Sequence, residues 1–105
     1  MAYLDVYPNP DRRTAAVIPF VVDVQSELLD SLPGCVVIPL ARADALETLP
    51  VLRLNPTFNI DSIALIALTQ DLASVPRRML KLPVSDLSTH RDDILAALDF
   101  LFTGY

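Results

Sequence analysis

Apolar and polar positions change rhythm several times along the chain. In AYLDVY, residues 2–7, Leu4 and Val6 alternate with Tyr3, Asp5 and Tyr7, the period-two signature of a strand. PNPD follows as a turn signal. VIPFVVDV, residues 17–24, is rich in β-branched residues and reads as a second strand, in which Pro19 calls for a sheet edge or a bulge. QSELLDSLPG suits a loop or short helical turn, and CVVIPLA, residues 35–41, a buried strand. RADALETLP is mixed in polarity and reads as a loop holding one helical turn. VLRLNPTFNI and SIALIALTQ then predict two strands joined near Asp61 and Ser62, and DLASVPRRMLKLPV short extended pieces broken by Pro76 and Pro83.

The last segment, DLSTHRDDILAALDFLFTGY, switches to helical spacing. Ser88 is a good N-cap residue, and Asp92 and Asp93 sit in the first turns, where the helix dipole favours negative charge. From Ile94 to Phe102 only Asp99 is polar. Ile94, Leu95, Leu98, Leu101 and Phe102 mark one broad face; Ala96, Ala97 and Phe100 make the other apolar as well. A helix over 89–102 that is apolar nearly all round is expected to be buried nearly all round, one side on the sheet and the other on a second copy. Gly104 ends it. The aromatic ending FLFTGY either packs inside the fold or is held out for a partner. With nine prolines and two glycines, the chain favours many short strands with rigid corners. The expected architecture is one domain, 1–105, of five or more antiparallel strands followed by one helix.

Composition sharpens this reading. The apolar fraction of 52 % exceeds what a small soluble domain usually carries, and an oligomer interface is the expected destination of the excess. A net charge of −5 argues against direct nucleic-acid binding, which needs clustered cations. One cysteine and one histidine argue strongly against a protein-built zinc site, and no cofactor motif is present. No stretch reaches the roughly 18 apolar residues of a membrane span, and the first residues lack a leader pattern, so a cytoplasmic protein is expected. His90 reads as a surface histidine rather than a general acid or base. Cys35 reads as a small core hydrophobe, and Arg77, Arg78 and Lys81 as a solvated basic loop that can also hold a phosphate or an acidic partner. Asp92 and Asp93 point in different directions and are better explained by capping than as a carboxylate pair. Asp23, inside an apolar strand, is either paired with a buried arginine or placed where the strand ends. This inventory suggests binding rather than catalysis.

Three stretches together resemble the CcdB family of toxin–antitoxin toxins in its chromosomal form. They are FVVDVQSELLD with VVIPLA (20–30 and 36–41), LTQDLASVP (68–76) and VSDLSTHRDDILAALDFLFTGY (84–105); the opening YLDVYPNPD also suits that family. The resemblance implies an SH3-like antiparallel β-barrel with a small additional sheet and a C-terminal helix, in a homodimer whose helices lie near the twofold axis. It implies a protein that poisons DNA gyrase through the A subunit, trapping the cleaved gyrase–DNA complex without covalent chemistry of its own. A cognate CcdA-like antitoxin with a disordered C-terminal segment neutralises the toxin and helps repress the operon. The implied gyrase-binding residues are Leu28, Leu29, Asp99, Phe102, Thr103, Gly104 and Tyr105, and the implied dimer contacts Leu101 and Phe102. Leu28 and Leu29 stand for two isoleucines, Asp99 for an asparagine, and Thr103-Gly104-Tyr105 for the Trp-Gly-Ile ending of the family's best-known toxin. Two other readings stay open. One is a homologue that keeps the fold and antitoxin binding but acts weakly on gyrase or on another target. The other is an mRNA endoribonuclease of the related MazF/Kid kind, with His90, Arg77 and Arg78 as its suspects.

Overall fold

The computed structural model describes residues 2–104. Its strands are β1 (Asp5–Pro8), β2 (Phe20–Asp23), β3 (Gly34–Arg42), β4 (Thr57–Ile60), β5 (Ile63–Ala67), β6 (Ala73–Pro76) and β7 (Ser85–Asp86), followed by the helix α1 (Arg91–Thr103). All pairings are antiparallel, in the order β4-β5-β3-β2-β1-β7, with β6 added beside β3. The result is a mostly β, nearly closed barrel-like sheet with one helix. The β4–β5 hairpin continues this sheet through β3.

β3 explains the arrangement. One edge pairs with β2 over Val37–Leu40. The other pairs first with β6 over Gly34–Val37 and then with β5 over Leu40–Arg42. Its apolar run serves two cores. Ile38 and Leu40 join Val6, Val22, Phe58, Leu65 and Ile94 on the helix side, while Cys35 and Val37 join Tyr7, Val21 and Leu80 on the other. β1 and β2 divide their side chains the same way, so a strand with adjacent buried residues, such as Val21 and Val22, is satisfied. A Cβ at Gly34, where β3 meets β6, would lie 2.6 Å from the Ser74 Oγ and would displace that hydroxyl.

The proline expectations need correction. β2 begins after Pro19 and lies between β1 and β3, so Pro19 bounds an interior strand. Pro39 does sit inside β3, opposite Val21. Its carbonyl accepts from Leu68 N (2.9 Å), and its missing N–H faces the same edge, at the gap where β3 changes partner from β6 to β5. β1 starts later than its alternation suggested, because Leu4 is buried with φ 69°. Its N–H donates to Asp23 O and its carbonyl accepts from Leu87 N, which stitches β2 to the approach of α1.

Asp61 and Ser62 form the turn between β4 and β5, with φ of 51° and 65°. Two positive φ angles in a two-residue hairpin are the mirror-image turn that matches strand twist, and neither residue is the glycine that best tolerates it. Ser62→Gly is expected to raise Tm by about 2–4 °C and Ser62→Val to lower it, in thermal unfolding followed by circular dichroism.

Candidate partner-binding site

The loop after β2 is held from inside. The Asp23 Oδ1 accepts from Gln25 N at 2.8 Å. The Gln25 side chain then bridges both ends of the loop: its Oε1 accepts from Val36 N (3.1 Å), and its Nε2 donates to Gly34 O (3.1 Å) and Leu29 O (3.3 Å). The Ser26 Oγ caps the 3-10 turn Glu27–Leu29 by accepting from Leu28 N, and the Glu27 Oε1 accepts from Tyr3 N at 2.9 Å. With the polar groups turned inward, Leu28 is 92 % exposed, and Leu29 and Leu32 are exposed beside it.

Arg77 secures the far side of this loop. It is not the solvated loop residue expected: its side chain is only 14 % exposed. Its Nη1 lies 3.9 Å from the Asp23 Oδ2 and its Nη2 3.5 Å from the Asp30 Oδ1, while its N–H donates to Pro33 O at 2.8 Å. Both alternatives for Asp23 hold, since it ends β2 and it faces a buried arginine. Burial pushes its carboxyl pKa up, against the opposing hydrogen bonds from Gln25 and Cys35 and the charge of Arg77. Gln25 went unassigned in the sequence; its place inside VDVQS between two strands was the available signal.

The second surface is the end of α1. A 3-10 turn, Ser88–His90, leads into the helix, and Ser88 does not cap it through its side chain. Instead the Asp86 carboxylate accepts from Ser88 N at 2.8 Å and from the Ser88 hydroxyl, and these bonds hold the Asp86 pKa below the usual value. His90 packs edge-on against Phe58, with ring centroids 4.8 Å apart. Asp92 and Asp93 occupy the first turn as expected. The helix is not buried all round in the single chain. Ile94 and Ala97 are fully buried, Leu95, Leu98, Phe100 and Leu101 are half-buried, and Phe102 is 71 % exposed. The Arg53 guanidinium lies 4.9 Å over the Phe100 ring.

Asp99, Phe102 and Thr103 share one outward face at i, i+3, i+4 spacing, and all three are exposed. The Thr103 Oγ1 donates back to Asp99 O at 2.6 Å. Gly104 ends the helix at φ 80°, donating to Phe100 O. Tyr105 lies outside the described residues. The candidate residues therefore form two groups. Leu28 and Leu29 lie in the loop whose Ser26 and Glu27 border Arg91 at the start of α1. Phe102 stands eleven residues further on, about 16 Å along the helix axis.

Each group holds apolar side chains in water on an ordered element, Leu28 and Leu29 on the loop and Phe102 on the helix. Among the described residues no group of His, Cys, Asp or Glu can hold a metal ion, and no helix is long and apolar enough to cross a membrane. The chain matches the CcdB protein family over residues 3–104 and belongs to that family. Membership points to the toxin of a toxin–antitoxin pair, a poison rather than a catalyst.

Cys35 is buried between the second core and Asp23, and burial, then the negative charge of Asp23, pushes its thiol pKa up from 9.0 to about 12. Tyr7 rises from 10.0 to about 12 by burial and the charges of Asp5 and Asp23. Above pH 9 the unfolded chain releases protons that the native state still holds, so both groups subtract stability as pH rises towards 12. The loss reaches about 1.4 kcal/mol per pH unit per group. Tm is expected to fall between pH 8.5 and 11, and Cys35→Ala to flatten that fall although it lowers Tm at pH 7. The native thiol should resist a disulfide reagent at pH 8 and react once urea unfolds the chain.

Proposed function

We propose that the protein is a type II toxin that binds the A subunit of DNA gyrase and traps the complex in which DNA is cut and covalently attached to the enzyme. In this reading it works as a cytoplasmic homodimer of one domain, 1–105, with no cofactor, no direct nucleic-acid binding and no covalent chemistry of its own. A cognate antitoxin with a disordered C-terminal segment wraps it, prevents poisoning and joins it in repressing their operon.

The observation that carries the reading is Phe102, a large ring left 71 % exposed on the last turn of a rigid helix in a CcdB-family chain. Asp99, Thr103 and Gly104 flank it, and Leu28 and Leu29 form the second contact group. In one protomer the two groups are separated by most of α1; a dimer carries two copies of each on one assembly. Thr103 replaces a tryptophan of the kind whose truncation costs on the order of 2–4 kcal/mol at an interface, and Tyr105 supplies the next ring. Asp99 brings a charge that must stay wet or find a partner at the interface. These two replacements favour a second reading, a family member that binds its antitoxin but acts weakly on gyrase or on another target.

Calorimetric titration of the gyrase A subunit tests the reading. Wild type is expected to bind, deletion of residues 103–105 to abolish binding with Tm nearly unchanged, and Thr103→Trp to strengthen it by about tenfold or more. Deletion without effect would exclude the tail as the contact, and no binding by wild type or Thr103→Trp would shift support to the second reading. Sedimentation at about 50 μM, a concentration that populates a micromolar-affinity dimer, is expected to show a dimer for wild type. Leu101→Asp, which puts a charge on the half-buried outer helix, should sediment as monomer or aggregate; a folded wild-type monomer would refute the dimer.

A further inference from the structure

We infer that Asp30 is a positioning residue: through Arg77 it fixes the 24–33 loop in the conformation that presents Leu28 and Leu29, and it does so although its charge destabilises the fold. The inference rests on the reading in which those two leucines meet the partner.

The loop needs a tether. Leu29 N donates to Ser26 O (3.0 Å), Asp30 N to Glu27 O (3.1 Å) and Leu32 N to Leu29 O (3.0 Å), so it is a run of consecutive turns. The first of them, Glu27–Leu29, buries no residue. Turns without buried side chains open readily unless something outside them holds them closed. Gln25 ties the root of the loop, and the Arg77 N–H ties Pro33 near its end. Between these ties, directly after Leu29, the Asp30 Oδ1 stands 3.5 Å from the Arg77 Nη2. Arg77 starts the turn after β6, which leads into buried Leu80, so the tether has a fixed anchor in another part of the sheet. A loop already ordered loses less entropy on meeting a partner.

The charge of Asp30 is in excess. Asp23, 1 % exposed, already gives Arg77 a counter-charge at 3.9 Å. Tyr7 and Cys35 lie in the same core, and burial first of all pushes both up to about 12, so they stay neutral. Two carboxylates thus face one guanidinium. Burial first, and the charge of Asp30 last, push the Asp23 carboxyl up. A carboxyl raised in the native state holds its proton more tightly folded than unfolded, so once ionised it subtracts stability. Neutralising Asp30 lessens that subtraction. A group whose role is stability has the opposite sign; a group that orders a contact surface can carry this one, a trade of stability for function.

Asp30→Asn tests this, because it keeps the size and the backbone hydrogen bond and removes the charge. In amide hydrogen exchange followed by NMR, Leu29 and Leu32 are expected to exchange about threefold to fivefold faster, with the amides of β2 and β3 not accelerated. Tm at pH 7 is expected to equal that of wild type or exceed it by about 1–2 °C. Asp30→Glu, which returns a carboxylate within reach of Arg77, should restore most of the loop protection. Asp44→Asn, an exposed carboxylate paired with Arg42 outside the loop, should leave loop exchange unchanged. Calorimetry with the gyrase A subunit is expected to show binding weakened about threefold to fivefold by Asp30→Asn and recovered in Asp30→Glu.

The proposal is overturned if the loop amides of Asp30→Asn exchange as in wild type, if its Tm falls by more than about 3 °C, if Asp30→Glu behaves like Asp30→Asn, or if the loop loosens with no loss of gyrase affinity. Weaker gyrase binding with unchanged exchange would make Asp30 a direct contact instead. If wild type binds no gyrase, the reading beneath the proposal fails, and exchange and Tm still decide whether Asp30 orders the loop against stability.

Discussion

The three-way pairing of β3 is the constraint on which the structure rests. One strand of nine residues supplies hydrogen bonds to β2 on one edge and to β6 and then β5 on the other. A one-residue slip of β3 would exchange Ile38 and Leu40 with Val37 and Pro39 between the two cores and move Gly34 away from Ser74. The main-chain gap at Pro39 works only in this register, because the proline then falls where neither β5 nor β6 asks for an N–H. Register, core assignment and proline placement are thus one condition.

Burial on both faces of that sheet leaves few places for charge, and a largely buried ionic cluster shapes a loop. Asp23, Gln25, Asp30 and Arg77 join the end of β2, the start of β3 and the corner after β6. Burying such groups costs desolvation, so their net contribution to stability is small. Their contribution is conformational: they turn the polar part of the 24–33 loop inward and hold Leu28 and Leu29 in water. A mobile loop with the same leucines would lose conformational entropy on meeting a partner; this one is already ordered.

The exterior is divided by chemistry. Exposed apolar side chains lie on the β2–β3 loop, at Leu49, Val51 and Leu52 before β4, at Leu82 and Val84 before β7 and at Phe102 on α1, while cations without a carboxylate partner among the described residues lie beside β6. The chain belongs to a toxin family. Of the residues suspected for an endoribonuclease, His90 packs on Phe58 and Arg77 is held by two aspartates, while Arg78 stays exposed after β6.

Much of this was legible in the sequence. The apolar run of β3, the hairpin at Asp61 and Ser62, the αL ending at Gly104 and the helix that follows the sheet all depend on local spacing or on backbone preferences of single residues. The motifs around VDVQS and the tail also carried the family, which the match over residues 3–104 bears out. What only the tertiary structure decided depends on partners distant in the chain. Arg77 and Asp23 lie about half the chain apart in sequence, so its neighbours Arg78 and Lys81 made Arg77 look like part of an open basic loop. The Ser88 cap failed because Asp86 reaches the turn first, a competition that residue preferences do not rank. The apolar periphery of α1 told how much surface seeks cover, but spacing along one helix holds no information about what lies beside it. Ile94 joins Phe58, Ile60 and Leu65 of the β4–β5 hairpin in the core and the Thr69–Asp71 turn packs on the helix, while Phe102 stays in water, a division set by partners distant in the chain.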